Sequence, residues 1–278
     1  MKTIAMILSA VFFSLLTTNL FAQKPNVEWG EIPRSDLEMT SYPSDTNATA
    51  LVLYDYGESK FNDDLDIVFT RHQRVKIFTQ KGFGWGTYSI GVRTGDGDER
   101  LVEIEGYTYS LNDKNEIITT EFDDDEVFED KATDNVTYYK FTLPALKPGC
   151  IIEVRYKIVS TNLYDVKDWT FQKDEPVRWS EYKFIFPRAL GYSLVKLGYE
   201  NWAFEETKEV KQNFSGRAYA LLGTTNANCW DVDLAVKDIP ALRDEPFITT
   251  LKDYANELQI QLSGYAFTNG VRRQFFPV

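Results

Sequence analysis

Few side chains in this sequence could do acid–base or nucleophilic chemistry: one histidine, His72, and two cysteines, Cys150 and Cys229. His72 lies in Ile67-Val68-Phe69-Thr70-Arg71-His72-Gln73-Arg74-Val75-Lys76-Ile77, where alternation puts Thr70, His72, Arg74 and Lys76 on the polar phase of a strand. That phase predicts a histidine facing solvent or a sheet edge, beside cations that disfavour its protonation. A general base needs a partner and a pocket, and the G-x-S-x-G elbow that would present a serine nucleophile is missing.

Cys150 shares the apolar phase of Ile152 and Val154 and reads as a small buried hydrophobe. Cys229, in Asn228-Cys229-Trp230, resembles the local setting of a transglutaminase-type nucleophile. That chemistry places its His and Asp downstream, and no His follows Cys229. The thiol also falls on the phase of Asp231 and Asp233, opposite Trp230, Val232 and Leu234, as an ordinary strand residue would. A Cys150–Cys229 disulfide is chemically open to an exported chain, but opposed strand phases disfavour it. No catalytic, cofactor-binding or metal-ligating residue is assigned from these patterns.

Seven carboxylates fall within Glu121-Phe122-Asp123-Asp124-Asp125-Glu126-Val127-Phe128-Glu129-Asp130. The calcium-loop spacing is absent there and in Gly95-Asp96-Gly97-Asp98-Glu99, so a solvated loop or charged sheet edge is expected. Six tryptophans, Trp29, Trp85, Trp169, Trp179, Trp202 and Trp230, raise a glycan-stacking alternative, although their scatter suits core and rim packing. With 30 Lys+Arg against 42 Asp+Glu, a formal charge of −12 and no long basic run, nucleic acid is excluded as a partner.

These residues must be positioned by strands. Short alternating runs recur: Ala50 to Tyr56, Ile67 to Ile77 and Cys150 to Ile158, with further candidates at 101–109, 115–121, 135–143, 180–186, 192–199, 215–222 and 229–236. Turn signals separate them, among them Gly82-Phe83-Gly84-Trp85-Gly86, Asn112-Asp113-Lys114-Asn115 and Lys147-Pro148-Gly149. Helical periodicity is nearly absent, Thr249 to Tyr254 being the one window, and Leu258, Ile260 and Leu262 resume a period of two. The expected fold is mainly β, an antiparallel β-sandwich of immunoglobulin-like type, with a second β-unit after about residue 200 as an alternative.

Lys2, the apolar run Ile4 to Leu16 and Ala22 read as a signal peptide over 1–22; the run is shorter than the roughly 20 residues a span needs. The mature chain is then expected to be exported, to the periplasm or cell surface, without a transmembrane segment. An extended arm follows over 23–47, punctuated by Pro25, Pro33 and Pro43. The β-sandwich domain covers 48–262, with a sub-boundary near 187–200, and a C-terminal segment covers 263–278.

Many modest motifs in order carry a resemblance. Asp36-Leu37-Glu38-Met39 leads to Ala50-Leu51-Val52-Leu53-Tyr54-Asp55-Tyr56-Gly57, and then Arg71-His72-Gln73-Arg74-Val75-Lys76-Ile77-Phe78 precedes Lys81-Gly82. Phe141-Thr142-Leu143-Pro144, Lys147-Pro148-Gly149-Cys150-Ile151-Ile152-Glu153, Trp169, Phe171-Gln172, Pro176-Val177 and Ser180-Glu181-Tyr182 follow, then Asp238-Ile239-Pro240-Ala241 and Glu245-Pro246-Phe247. This order resembles the bacterial exported family called domain of unknown function 3857, over most of 30–200 and beyond. Members typically precede a transglutaminase-like domain. The resemblance implies that a Cys-His-Asp set, where present, belongs to that following domain, toward which 263–278 would lead, and that no catalytic residue carries over here.

The function expected from residues and resemblance together is a non-catalytic exported module that binds or positions a protein or peptide partner, with no cofactor. A glycan-binding module, or an inactive fragment of a transglutaminase-like cysteine hydrolase, is the alternative.

Overall fold

The computed structural model describes residues 23–95, 99–198, 202–243, 255–268 and 270–274. The signal-peptide segment 1–22, the helical window at 249–254, the Glu245-Pro246-Phe247 motif and the apolar end 275–278 lie outside the described residues.

The chain is mainly β. After a one-turn helix α1 (Arg34–Glu38) in the arm come β1 (Ala50–Phe61), β2 (Ile67–Ile77), β3 (Thr87–Arg93), β4 (Glu99–Leu111), β5 (Ile117–Glu121), β6 (Phe128–Thr133), β7 (Val136–Thr142) and β8 (Ile151–Ser160). Then follow β9 (Trp169–Thr170), β10 (Val177–Pro187), β11 (Leu190–Leu197), β12 (Phe204–Asn213), helix α2 (Gly216–Leu222), β13 (Asn226–Ile239), β14 (Glu257–Ala266) and β15 (Arg272–Gln274).

Three sheets form. The largest runs β12-β13-β10-β1-β2-β8-β4-β5; β11-β14-β15, with β9 on β14, make a second, and β3-β7-β6 a third. Pairing is antiparallel except between β1 and β10, which run parallel from Val52↔Val177 to Lys60↔Ile185. Both small sheets pack on one face of the large one. Tyr192 of β11 lies against Phe184 and Phe186 at ring-centre distances of 5.1 and 5.3 Å, and Tyr88 of β3 donates to Gln73 of β2 at 2.9 Å. A continuous apolar core joins Ile90, Phe141, Ile152, Phe184, Leu234 and Leu258 across the three sheets. The other face of the large sheet carries the arm, with Leu37, Leu51, Leu53, Tyr109 and Ile151 as a smaller apolar cluster beneath it.

The turn signals are used as their chemistry suggests. Asn115 and Gly149 adopt positive φ (63° and 88°), the left-handed conformation that Asn and Gly reach at least cost. Segment 215–222, expected to be a strand, is instead helix α2. Ala218 and Leu222, four apart, bury one side of it, and Gly223 at φ 69° closes it, its N–H donating to the Tyr219 carbonyl. The seam near 187–200 is where the chain leaves the large sheet for β11; β12 and β13 then return to the large sheet.

Candidate functional site

On a pleated strand, neighbouring side chains face opposite sides, so β2 divides its polar residues between two layers. Arg71 and Gln73 face the core, while His72, Arg74 and Lys76 face the arm. Because β2 is internal, between β1 and β8, neither set is at an edge.

On the arm side, the focus is Glu153 of β8, directly opposite Arg74 in register. Its buried carboxylate accepts from Arg74 Nε (3.0 Å) and Nη2 (2.5 Å), the Tyr109 hydroxyl (3.0 Å) and the Gly30 backbone N–H (3.1 Å), and lies 2.7 Å from His72 Nε2. Burial alone would raise the Glu153 carboxyl, but the His72 hydrogen bond and the Arg74 charge hold it below the usual range. The arm closes this cluster. Trp29 meets the His72 ring edge-on at 5.3 Å, and the Arg155 guanidinium stacks on Trp29 at 4.6 Å. Arg74 Nη2 donates to the Glu28 carbonyl, and Lys24 Nζ pairs with both Glu181 and Asp233. Lys76 is fully buried, donating to the carbonyls of Leu37 and Gly149 at 2.6 Å each; burial pulls its ammonium down to about 8.

His72 is therefore not the solvent-facing residue its polar phase implied. Alternation identifies a face but not what lies on it, and here the arm supplies Trp29 and β8 supplies the anion. The legible signal was the polar phase of β8, Glu153-Arg155-Lys157, which complements that of β2.

The second cluster lies on the core side. The Asp55 carboxylate, fully buried, receives Arg71 Nε and Nη2, each at 2.8 Å, in a two-pronged pair; Lys173 Nζ lies 3.4 Å from the same carboxylate. Burial would raise Asp55, but Arg71 and Lys173 together hold it below the usual range. The Trp169 ring underlies both cations, at 5.1 Å from Arg71 and 5.5 Å from Lys173, and its Nε1 donates to Ser180 Oγ at 3.0 Å. Gly57 is required there, since a Cβ would sit 2.5 Å from Trp169. Beside this cluster a cleft of about 260 Å³ opens between β2, β8, β3 and the Lys167–Lys173 segment. Composition and phase did not single out this site: Arg71 falls on the phase of Phe69 and Val75, and its partners Asp55 and Lys173 come from distant segments.

The thiols lie apart from both clusters. Cys150 and Cys229 are free and wholly buried in the apolar core; burial raises the Cys150 thiol and pushes that of Cys229 up to about 11. Cys229 belongs to the apolar core cluster that also holds Val232 and Leu234, and the unbroken register of β13 keeps it on the phase of Asp231 and Asp233. With β10, β1 and β2 between β13 and β8, and with Cys229 near the Phe61 end of β1 and Cys150 near its Ala50 end, the two cysteines stand more than roughly 19 Å apart, far beyond disulfide reach.

Asp123, Asp124 and Asp125 occupy an exposed turn between two edge strands, β5 and β6, with their carboxylate oxygens within 4.8 Å of one another. That matches a solvated, charged edge. Trp169 and Trp179 are buried, Trp179 Nε1 donating to Glu181 at 2.9 Å, and Trp29, Trp85, Trp202 and Trp230 are half-buried. Among the described residues, no helix is long and apolar enough to cross a membrane.

This framework has relatives. A crystal structure of a "putative protease" from Parabacteroides distasonis is similar in fold, with a TM-score of 0.57 at 15% identity. The likeness covers 77% of the present chain and 40% of that one, so the chain spans well under half of that protein's length. No curated protein matches the sequence. Residues 63–217, from the turn after β1 to the start of α2, match the family model described as "Domain of Unknown Function with solved-structure structure (DUF3857)". They include Arg71, His72, Glu153, Trp169 and Lys173, but not Asp55 or Trp29, and make up more than half the chain. It belongs to the DUF3857 family.

Proposed function

We propose that the chain is a non-catalytic, exported β-sandwich module, immunoglobulin-like in its layering, that binds or positions a protein or peptide partner for transglutaminase-like chemistry supplied elsewhere. The carrying observation is where the reactive groups lie. The one imidazole is held by Glu153 beneath the arm, and both thiols sit in the apolar core, with Cys229 at about 11. A cysteine nucleophile needs a lowered pKa and a base within reach, and each of these thiols has its pKa raised by burial. The signal-like segment 1–22 supports export. The activity named for the Parabacteroides protein is placed, in this reading, in the part of that protein the present chain does not span.

The test is native-state thiol labelling with iodoacetamide alongside a peptidase assay on the folded chain. Labelling is expected only after denaturation, with no peptide hydrolysis. Turnover that disappears in Cys229→Ser would overturn the reading.

A further inference from the structure

We propose that the cleft beside Asp55, Arg71 and Lys173 is a binding site for a peptide carboxylate, presented either by a C-terminus or by an acidic side chain. This deepens the binding-module reading by naming the chemistry of its ligand.

The layering of charge points to it. The anions lie behind: the side chains of Asp55 and Glu99 are wholly buried. Their cationic partners lie in front. Arg71, Lys173 and Lys167 keep 23%, 17% and 28% of their side-chain surface and line the cleft. Asp55 is shared by two cations, so Arg71 and Lys173 together exceed their buried counter-ion by one charge. Asp55 occupies the Nε and Nη2 side of the guanidinium, which also donates to the Tyr156 hydroxyl. Lys173 donates to the Thr170 carbonyl and Asp55, accounting for two of its three N–H groups. A carboxylate entering the cleft would meet donors already oriented and partly desolvated, the condition under which charge-assisted hydrogen bonds are strongest.

The rest of the lining suits the carbon chain attached to such a group. Phe69, Ile90 and Ile158 are buried apolar walls. The volume of about 260 Å³ accommodates one residue rather than an oligosaccharide. Asp168 at the rim, which accepts from the Ile260 backbone N–H at 2.7 Å, opposes an anion, and with Asp55 and Glu99 it balances the three cations in formal charge, so the attraction rests on the outward-facing cations lying in front of buried anions rather than on net charge. Because the chain carries a formal charge of −12, any preference for an anion must come from this local arrangement, not from the overall field.

The experiment is calorimetric titration of the full chain with three probes: acetyl-Ala-Leu-Leu as the free acid, the same peptide as its C-terminal amide, and acetyl-Leu-Asp-Leu-amide. At least one acid-bearing peptide is expected to bind, with the neutral amide about tenfold weaker or worse, and which acid wins identifies the source of the carboxylate. Removing Arg71 would strand Asp55 and endanger the fold, so the cleft is probed through exposed Ser89 on its β3 wall. Ser89→Glu should weaken acid binding about tenfold and Ser89→Lys should tighten it, with Asp168→Asn also tightening it. Neither acid-bearing peptide binding more tightly than the neutral amide, no binding of either acid at millimolar concentration, or indifference to the charge at Ser89 would overturn the proposal. Those outcomes leave the non-catalytic reading intact, which only Cys229-dependent turnover removes.

Discussion

Arg71 and His72 are neighbours on β2, yet they serve clusters on opposite faces of one sheet. On the arm side, one buried carboxylate, Glu153, gathers donors from Arg74, Tyr109 and Gly30 together with the His72 ring, and Trp29 lies over that ring. On the core side, one buried carboxylate, Asp55, is shared by two cations whose outer surfaces reach a cleft. The pleat is the same and the anions are equally buried. The covering element makes the difference: an arm that supplies backbone donors and a ring seals the Arg74–Glu153 ion pair, 3% and 0% exposed, the cavity of about 460 Å³ beside it being lined mainly by the arm itself, whereas the segment bearing Trp169 and Lys173 adds charge and leaves its cations partly exposed to a cleft. A sealed ionic cluster holds structure together, and an open one has capacity for a ligand.

The largest expected effect comes from breaking the sealed side. Glu153→Ala leaves Arg74 and His72 without their anion and should cost about 3–5 kcal/mol in denaturant unfolding, with faster amide exchange at Gly30 as the arm loosens. Glu153→Gln, which can still accept from Tyr109 and Gly30, should cost less. Asp55→Asn is next, about 2–3 kcal/mol, smaller because Arg71 and Lys173 retain contact with solvent in the cleft. The reverse order would break the comparison. Trp29→Ala should cost about 1–2 kcal/mol, raise exchange around His72 and leave the Lys173 region unchanged.

The pH dependence is shared between the faces. Glu153 and Asp55 are both held below their ordinary values of 4.5 and 3.8. The unfolded chain therefore takes up these protons first as pH falls, and stability present above pH 4.5 is lost progressively below it. Lys76 gives the smallest effect, with the opposite slope. Its folded pKa of about 8 lies below the ordinary 10.5, so between those values the unfolded chain binds the proton and stability rises with pH. Melting temperatures across the two windows check both signs.

What could be read from the sequence follows the range of the interactions involved. The alternation of Cys150, Ile152, Val154 and Tyr156 marked β8, and Asn115 and Gly149 marked turns, because these signals are local. Strand β12 carried no such pattern: it is an edge strand whose Glu205, Glu206, Lys208 and Lys211 are exposed, so no apolar phase records it. Helix α2 was misread because seven residues hold too few turns to show a period, although Ala218, Leu222 and Gly223 carried the pattern. The clusters were hidden for a longer-range reason. Arg74 and Glu153 are 79 positions apart, and Lys173 reaches Asp55 from a segment that pairs with β14. Polar phase then looks like surface until the covering segment is known.

The division of labour between the two clusters is tested most directly by mapping backbone amide shifts of the full chain during titration with the tighter-binding of acetyl-Ala-Leu-Leu free acid and acetyl-Leu-Asp-Leu-amide. Shifts are expected at Ile90, Gly91, Thr170 and Lys173 around the open cluster, with Gly30, His72 and Glu153 unmoved. Shifts centred on the arm and His72 instead, with the cleft silent, would contradict the assignment of the sealed cluster to structure and the open one to binding.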